Sequence, residues 1–297
     1  MKLIGLMPVR NEDWVLGLSA RAALMWCDEL VVLDHACADL SWELLCGVHK
    51  ESGGRCPVMA TRTGLTWTEM SHRQALLTNA RLRGATHIAL IDADEVLTGN
   101  LLQRIRFMIE VLPEQTVLQL PWLALPRSVD RYLTEGIWGE NYVSSAFKDS
   151  PAMGWKLPPD GYDFHHRQPY VIKPGGDSEP LGFCPWNTDG GLMHLQFLSE
   201  RRLRAKQALY QMTEVLRWPG RKSPAELAHM YGRAVYESDP LGFANAPVPA
   251  SWWEPYRHLM KHLDIDKEPW QEAEVRRLIA EHGRERFSGL DLFGVDK

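Results

Sequence analysis

The chain has 297 residues, of which 45% are hydrophobic and 24% are charged, as is typical of globular proteins. This length fits one large domain, or a catalytic domain with a helical extension. The net charge of -5 argues against a general nucleic-acid binder, which usually has a basic face. The five cysteines have no zinc-like spacing and follow no secretory signal, so we expect reduced thiols in a cytoplasmic protein. No apolar stretch is long enough to span a membrane.

The first 125 residues alternate between apolar strands and amphipathic helices. Strands are predicted over 3–9, 29–34, 57–63, 87–91 and 116–125. Helices are predicted over 14–25, 67–83 and 101–112. Asn11 is expected to cap the first helix and Gly84 to end the second. This alternation predicts an α/β sheet with parallel strands, in which ligands bind beyond the carboxyl ends of the strands.

The remainder of the chain is first irregular and then helical. Between about 127 and 190 the periodicity fades and Gly, Pro, Trp and Tyr are frequent, which is typical of functional loops. Strands are predicted over 168–173 and 192–198. Helices are predicted after Ser199 and over 223–237, 251–263 and 269–282. The first of these helices carries the densest basic run, which is expected to be a solvated face: Arg201, Arg202, Arg204 and Lys206.

Polar residues fall at the carboxyl ends of three predicted strands. They are Arg10-Asn11-Glu12, Asp34, and Asp92 with Asp94. Residues i and i+2 of an extended strand point the same way, so Asp92 and Asp94 can share one Mg²⁺ or Mn²⁺ ion. Such an ion would neutralise charge on a leaving diphosphate. Arg10 and Arg73 can pair with phosphate or form surface ion pairs. Asp34 can bind a base or ribose, or cap a turn.

The order and spacing of these residues resemble family 2 glycosyltransferases and their GT-A-fold relatives. The segments that carry the resemblance are Met7-Pro8-Val9-Arg10-Asn11-Glu12, Leu30-Val31-Val32-Leu33-Asp34, Arg73, and Ile88-Ala89-Leu90-Ile91-Asp92-Ala93-Asp94-Glu95. The resemblance covers about residues 3–125, with weaker similarity to 210. It implies a GT-A (Rossmann-like) mixed sheet with flanking helices and a helical C-terminal extension. It also implies a catalytic domain over 1–198, with a donor half over about 1–125 and acceptor loops over about 127–190, and a helical region over 199–297 packed on it.

This resemblance implies a metal-dependent glycosyltransferase that moves a sugar from a nucleotide-diphosphate sugar, most often a UDP-sugar, to an acceptor hydroxyl. The implied donor-binding residues are Pro8, Arg10, Glu12, Asp34, Arg73, Asp92 and Ala93. Asp92 and Asp94 would hold Mn²⁺ or Mg²⁺, and His194 would complete the metal shell, as in relatives with a His-then-Lys-then-Tyr pattern. His194 can equally be a hydrogen-bonded histidine near the core. A saccharide is the expected acceptor, and a modified DNA base is a less favoured alternative.

A catalytic base is harder to identify. An inverting transferase needs a carboxylate that deprotonates the acceptor hydroxyl. The candidates in the acceptor region are Glu140, Asp160, Asp163, Glu179 and Asp189. We predict Asp189, which lies just before the strand that carries His194. The segment departs from the usual base motif of the family, so inversion or retention at the anomeric carbon stays open.

Other protein classes fit parts of the same pattern. The apolar run before Asp92-Ala93-Asp94 also fits haloacid dehalogenase-type phosphatases, in which Asp92 would be the nucleophile and Asp94 an acid/base. That motif normally follows the first strand, whereas at least two strand–helix units precede it here. A sugar nucleotidyltransferase would have a glycine-rich loop in place of Pro8-Val9-Arg10-Asn11. A non-catalytic sugar-binding protein on a transferase fold is the remaining alternative.

Overall fold

The computed structural model describes residues 1–61, 67–185 and 189–296. The chain forms two compact units, each assembled from three segments. The first unit comprises Met1–Pro121, Tyr142–Met193 and Pro249–Asp264. The second comprises Trp122–Asn141, His194–Val248 and Ile265–Lys297.

The secondary structure alternates between strands and helices in the first half and is mostly helical in the last third. The strands are β1 (Leu3–Val9), β2 (Glu29–His35), β3 (Val58–Thr61), β4 (His87–Leu90), β5 (Glu95–Leu97), β6 (Thr116–Ala124), β7 (Arg131–Leu133), β8 (Tyr142–Lys148), β9 (Met153–Gly154), β10 (Tyr170–Val171), β11 (Leu181–Phe183), β12 (Leu192–His194) and β13 (Asn245–Pro247). The α-helices are α1 (Leu16–Ala23), α2 (Ser41–Glu51), α3 (Glu69–Leu82), α4 (Ile105–Glu110), α5 (Glu200–Arg217), α6 (Pro224–Tyr236), α7 (Ala250–Trp253) and α8 (Trp270–His282). Short 3-10 helices cover Gly99–Leu101, Leu195–Leu198, Glu254–His262 and Arg284–Phe287.

The main sheet has the strand order β3-β2-β1-β4-β8-β6-β12-β5, and β11 pairs with β6. Strand β1 is parallel to β2 and β4, and β2 is parallel to β3. Strand β8 is antiparallel to both β4 and β6, which makes the sheet mixed. The last residues of β6 and β12 are counted with the second unit. The predicted fold class, an α/β mixed sheet with flanking helices, is confirmed.

Strand β1 lies inside the sheet, between β2 and β4, and its sequence is apolar on both faces. All seven of its residues are buried, as expected of a parallel strand that is covered on both sides. Helix α3 packs on β1 and β2 through Met70, Leu77 and Ala80. Complete burial of a side chain such as Leu77 contributes about 2 kcal/mol to stability. Gly84, with a φ of +79°, follows α3 and ends it as predicted. This core fixes the carboxyl ends of β2, β1 and β4 side by side at one edge of the sheet.

The second unit is built around α5, which packs against α6 and α8. The Ser199 side chain caps α5 by accepting a hydrogen bond from the Arg202 N–H. Helix α6 starts with a capping box formed by Ser223 and Glu226. The core between the helices includes Met212 and Val275. The helices predicted after Ser199 and over 223–237 and 269–282 are therefore present, whereas the helix predicted over 251–263 is a short α7 followed by a 3-10 helix and belongs to the first unit.

Several predicted elements differ from the observed ones. Strand β8 crosses the region that was predicted to be irregular, and it lies in the middle of the sheet. The strand predicted over 192–198 ends at His194 and continues as a 3-10 helix. The helix predicted over 101–112 is limited to α4, and β5 precedes it. Strand β3 covers only the first part of 57–63, and residues 62 and 63 lie outside the described ranges.

The prediction that Asn11 caps the first helix is wrong. Helix α1 begins at Leu16, its N-cap position is Val15, and no side chain caps it. Asn11 has a φ of +54°, a left-handed conformation that Asn tolerates better than most residues. Its side chain accepts a hydrogen bond from the Ala38 N–H instead.

Candidate functional site

The loops that follow β1 and β2 are joined by hydrogen bonds. The Asn11 Oδ1 atom accepts from the Ala38 N–H at 2.7 Å, and the Asn11 N–H donates to Cys37 Sγ at 3.2 Å. The Glu12 N–H donates to Ser41 Oγ at 3.0 Å. The two predicted polar clusters at these strand ends are therefore parts of one bonded pair of loops. The Glu12 carboxylate itself accepts from Trp14 Nε1 at 2.5 Å.

Asp34 and Pro8 lie at neighbouring positions of this edge. Asp34 ends the ladder between β1 and β2, opposite Val9, and Pro8 is opposite Leu33. Asp34 is 5% exposed, and its Oδ1 accepts from the Cys37 N–H at 2.9 Å, so it caps the turn after β2. The ladder between β1 and β4 ends at Leu6, so Pro8, which lacks an N–H, interrupts no β4 hydrogen bond.

Asp92 follows β4 and lies between two arginines. Its Oδ1 accepts from Arg73 Nη2 at 2.9 Å, and its Oδ2 accepts from Arg167 Nη1 at 2.9 Å. Its backbone N–H donates to Glu95 Oε2 at 2.9 Å. Charge-assisted hydrogen bonds of this length are among the stronger ones in proteins. The carboxylate is therefore fixed on both sides.

Arg73 reaches Asp92 from helix α3. Its Nε and Nη2 donate to Glu69 Oε1, one helical turn earlier, at 2.9 and 2.7 Å. The residue is only 2% exposed. Its Nη1 is buried, and no hydrogen-bond partner for it exists among residues 1–61, 67–185 and 189–296. A buried, unsatisfied guanidinium nitrogen is costly, and an anionic ligand would satisfy it.

Arg167 reaches Asp92 from a segment without regular structure. Its Nη1 also donates to Glu95 Oε1 at 2.7 Å, its Nη2 to the Leu90 carbonyl at 2.7 Å, and its Nε to the Ser144 carbonyl at 2.8 Å. Arg167 therefore links the end of β4, strand β8 and the turn after Asp92. The Glu95 side chain is fully buried, so the arginine is its counter-ion.

These contacts determine the charge states at the site. Burial acts to raise the pKa of Asp92, but the charges of Arg167 and Arg73 outweigh it and lower that pKa to about 2. The nearby Asp94 carboxylate opposes this lowering. Burial acts to lower the pKa values of both arginines, and their carboxylate partners raise them above the usual value. Asp92 and both arginines are therefore charged at neutral pH.

The donor atoms fit a hard divalent cation in type. Asp94 is 4% exposed and close enough to affect the pKa of Asp92. Each carboxylate oxygen has two lone pairs, so Asp92 retains accepting capacity beside each arginine. No group of three His, Cys, Asp or Glu residues in the described parts of the chain is arranged to hold a metal ion. This donor set suits an ion that takes one or two carboxylates and completes its shell with phosphate and water, as Mg²⁺ commonly does.

The predicted base candidates lie in different environments. Asp189 is exposed, and its backbone carbonyl accepts a hydrogen bond from Asn100 Nδ2. Asp163 is fully buried. The remaining candidates are exposed: Glu140, Asp160 and Glu179. Exposure leaves Asp189 accessible to a substrate hydroxyl, and its role as a base stays a prediction.

His194 belongs to the second unit and ends β12. Its ring stacks on Trp122, with 4.1 Å between the centroids and 13° between the planes. Phe197 contacts the same imidazole edge-on at 5.3 Å. His194 is therefore an element of an aromatic cluster, and cation binding by it stays a prediction.

The basic run on α5 is only in part the solvated face that was predicted, because Arg201 is exposed and Arg204 is partly exposed, whereas Arg202 is buried. Arg201 pairs with Glu272 and Glu268. Arg202 is 2% exposed, and its Nη2 donates to the Lys267 carbonyl at 2.7 Å. Arg204 pairs with Glu200, and the three guanidinium groups are thus taken up by contacts within the second unit. These contacts reduce the positive charge available to a nucleic acid.

Three residues of the site escaped the sequence analysis. Glu69 had a recognisable signal, because it precedes Arg73 by one helical turn, a spacing typical of ion pairs. Glu95 follows the Asp-x-Asp pattern directly but was not assigned a role. Arg167 had no local signal, because its partners are distant in sequence.

Comparisons with known proteins find no matching family model and no matching curated protein. Among solved structures, the chain is similar to TarS 1-349 from S. aureus, with 10% identity, 97% of this chain and 88% of that chain covered, and a TM-score of 0.42. It spans 54% of a longer TarS structure. It is also similar to the mannosyltransferase PcManGT from Pyrobaculum calidifontis in complex with GDP-Man and Mn²⁺, with 12% identity, 99% and 85% covered, and a TM-score of 0.38.

A shorter match, over 32% of this chain and 34% of the other, is to glucosyl-3-phosphoglycerate synthase from Mycobacterium tuberculosis in complex with Mn²⁺, uridine-diphosphate and glucosyl-3-phosphoglycerate. Its identity is 16% and its TM-score is 0.24. The structural neighbours thus include glycosyltransferases, all at low sequence identity.

Proposed function

We propose that this protein is a glycosyltransferase that uses a nucleotide-diphosphate sugar and a divalent cation. The observation that carries this proposal is the pairing of Asp92 with Arg73 at the carboxyl end of β4. Arg73 has a buried Nη1 without a hydrogen-bond partner in the described parts of the chain. A diphosphate would satisfy this nitrogen, since guanidinium groups bind phosphate oxygens well.

The proposed donor site runs along the edge formed by β2, β1 and β4. Asp34, at the end of β2, would accept hydrogen bonds from the nucleoside. Pro8 and the loop residues Arg10 and Glu12 would border the nucleotide. This arrangement is supported by the sheet order and by the general rule that ligands of such sheets bind beyond the carboxyl ends of the strands. Ala93 would be the small residue between the two aspartates that lets the donor approach.

Asp92 and Asp94 would hold Mn²⁺ or Mg²⁺. When bound, this ion supplies charge neutralisation for the leaving nucleoside diphosphate. Arg73 would donate to the same diphosphate through Nη1, while Nη2 keeps the Asp92 carboxylate in place. Arg73 would thus stabilise negative charge that increases in the transition state, which is the main way in which such sites accelerate group transfer.

The acceptor is proposed to be a saccharide hydroxyl, with Asp189 as the base that removes its proton. Asp189 is supported by its exposure and by the backbone hydrogen bond from Asn100. A modified DNA base is a weaker proposal, because the basic run on α5 is paired with acids or buried.

In the described residues, no helix is long and apolar enough to cross a membrane.

A phosphatase with Asp92 as nucleophile is less well supported. Both oxygens of that carboxylate accept hydrogen bonds from guanidinium groups, and such pairing lowers nucleophilicity by stabilising the anion. A trapped phosphoryl group on Asp92 would identify this activity. A non-catalytic sugar-binding protein would bind nucleotide sugars with metal and release no diphosphate.

The test is nucleoside diphosphate release from a panel of nucleotide sugars, with Mn²⁺, Mg²⁺ or EDTA. We expect slow hydrolysis of one donor that requires the cation and is abolished by Asp94→Ala. The matched control is Asp149→Ala, which removes an ion pair with Arg81 elsewhere in the same unit and should leave hydrolysis unchanged. Equal release by wild type and Asp94→Ala would refute the metal assignment. No release and no nucleotide binding under any condition would refute the transferase.

A further inference from the structure

The residues around Asp92 form an acid cluster, which we define as Glu69, Asp92, Asp94 and Glu95. Two guanidinium groups, from Arg73 and Arg167, compensate part of its charge. Four carboxylates and two arginines leave two negative charges in excess, which is the charge that one divalent cation would balance. Glu69, Asp94 and Glu95 are buried and the Asp92 side chain is half-buried, so water screens the excess charge only in part.

The arginines flank Asp92 on both sides, so a cation that binds the remaining lone pairs of this carboxylate lies close to both guanidinium groups. Arg73 Nη2 lies 2.9 Å from Asp92 Oδ1, and Arg167 Nη1 lies 2.9 Å from Asp92 Oδ2. A free divalent cation that binds Asp92 therefore meets two positive charges at short distance. Their repulsion opposes binding, since charges interact strongly over a few ångströms in partly buried sites.

The two arginines differ in their freedom to respond. Arg167 donates through all three of its nitrogens, to Asp92, Glu95 and two backbone carbonyls. Arg73 holds Glu69 and Asp92 through Nε and Nη2, but its buried Nη1 has no hydrogen-bond partner in the described residues. A diphosphate can therefore engage Arg73 without breaking an existing bond, whereas Arg167 stays where it is.

We propose that Arg167 is a positioning residue that makes cation binding at Asp92 conditional on a nucleoside diphosphate. This inference rests on the proposed function and concerns the order in which the donor site is filled. Without diphosphate, the two guanidinium groups repel the cation. The diphosphate brings negative charge to the unsatisfied Nη1 of Arg73, offsets this repulsion and supplies further oxygen ligands, so that cation and diphosphate bind together.

The residues on either side of Arg167 are held by hydrogen bonds to neighbouring elements. The Trp155 N–H donates to Gln74 Oε1 at 2.8 Å, and Trp155 Nε1 donates to the His166 carbonyl at 3.1 Å. Ser144 Oγ donates to Gln168 Oε1 at 2.9 Å on the other side of Arg167. The arginine is therefore held in register from both sides, as a fixed counter-charge requires.

The test measures Mn²⁺ affinity by electron paramagnetic resonance of the free ion, alone and with saturating UDP or GDP, with correction for Mn²⁺–nucleotide complexes in solution. For the wild type we expect Mn²⁺ to bind about 30-fold more tightly with one of the diphosphates, within the range usual for coupled sites. For Arg167→Met we expect Mn²⁺ alone to bind about tenfold more tightly than to the wild type, because a competing charge has gone. The ratio of the Mn²⁺ affinities measured with and without diphosphate should therefore be smaller for Arg167→Met than for the wild type.

Two further variants separate positioning from folding. Arg81→Met is the matched control, because Arg81 also donates to one carboxylate and two backbone carbonyls. The carboxylate is that of Asp149, and the carbonyls are those of Ser150 and Met153. It should leave the coupling unchanged. The double variant Glu95→Gln/Arg167→Met removes one charge of each sign, so it keeps the net charge and avoids an unpaired buried acid. It should still bind Mn²⁺ alone more tightly than the wild type does.

The outcomes distinguish this inference from the proposed function. Wild-type protein that binds Mn²⁺ equally well with and without diphosphate overturns the role of Arg167 and leaves the transferase standing. The same holds if the Arg167 variants keep the wild-type coupling, or if Arg81→Met weakens it as much. If no form binds Mn²⁺ or a diphosphate, the inference and the proposed function both fail.

Discussion

Asp92→Asn is the most informative single change, because it removes one charge from the centre of the ion-pair network and keeps the shape of the side chain. Arg73 retains Glu69 as a partner, and Arg167 retains Glu95. Neither guanidinium is therefore left as an uncompensated buried charge, which would be strongly destabilising. We expect a folded variant that is measurably less stable and inactive.

The magnitude follows from the pKa of Asp92. Burial acts to raise it, but the charges of Arg167 and Arg73 lower it from 3.8 to about 2. A shift of nearly two pH units corresponds to about 2–3 kcal/mol of unfolding free energy at neutral pH. The pKa in the folded state lies below the unfolded value. This stabilisation is therefore complete well above pH 4 and is lost as the pH falls through about 4 towards 2.

The assay is urea unfolding of wild type and Asp92→Asn, followed by circular dichroism at neutral pH and near pH 3. We expect a gap of about 2–3 kcal/mol at neutral pH that narrows near pH 3, where the carboxyl of the unfolded wild type is largely protonated while that of the folded protein, with its pKa of about 2, is still mostly ionised. Asp149→Asn is the matched control, because it weakens the ion pair with Arg81 outside the site. Only Asp92→Asn should also abolish metal-dependent donor hydrolysis.

Two results would refute this reasoning. Equal stability of the two proteins at neutral pH would mean that the arginines do not stabilise an ionised Asp92. A gap that stays constant as the pH falls would mean that the loss comes from packing or hydrogen bonding and not from charge.

Three further predictions concern residues away from this network. Asp34→Asn should keep the fold, because the amide oxygen can still accept from the Cys37 N–H. It should weaken nucleotide affinity about tenfold, measured by isothermal titration calorimetry, because the charge is lost. Unchanged affinity would mean that Asp34 only caps the turn. Asp189→Asn should lower turnover at least about 100-fold with unchanged nucleotide affinity, as removal of a general base does; normal turnover would exclude it as the base. Arg202→Ala should lower the free energy of unfolding by about 2 kcal/mol, because packing and a hydrogen bond to the Lys267 carbonyl are lost. Arg201→Ala, at the exposed neighbouring position, should change the free energy of unfolding little. Equal effects of the two variants would contradict the burial of Arg202.

The sequence was informative where local chemistry decides the structure. The apolar runs that became β1, β2 and β4 carry their polar residues within one or two positions of the last strand residue, so the strand ends could be located from the pattern. Pro8 and Asp34 fell at the predicted edge for this reason. The i to i+4 spacing of Glu69 and Arg73 would also have revealed their ion pair.

The sequence was uninformative where partners are distant. Strand β8 contains Ser144 and Ser145, so its pattern is neither continuously apolar nor cleanly alternating, although both serines are buried in the middle of the sheet. Its place between β4 and β6 depends on pairing with strands formed earlier in the chain. Arg167 lies in a segment without periodicity. Its hydrogen-bond acceptors are carboxylates and carbonyls that become its neighbours only in the folded chain.

Stability and the proposed activity depend on the same two guanidinium groups. A cluster of three buried acids and one half-buried acid is strongly destabilising without counter-charges, because the desolvation of each buried carboxylate costs several kcal/mol. Arg73 and Arg167 supply those charges in the chain itself, so the site is formed before any ligand binds. The arrangement leaves Arg73 Nη1 as the one buried guanidinium nitrogen of this pair without a described hydrogen-bond partner. A diphosphate is then recognised by the residue that also stabilises the empty site. Asp92→Asn should therefore lower both the stability and the cation affinity, whereas Arg167→Met should raise the affinity for the free cation.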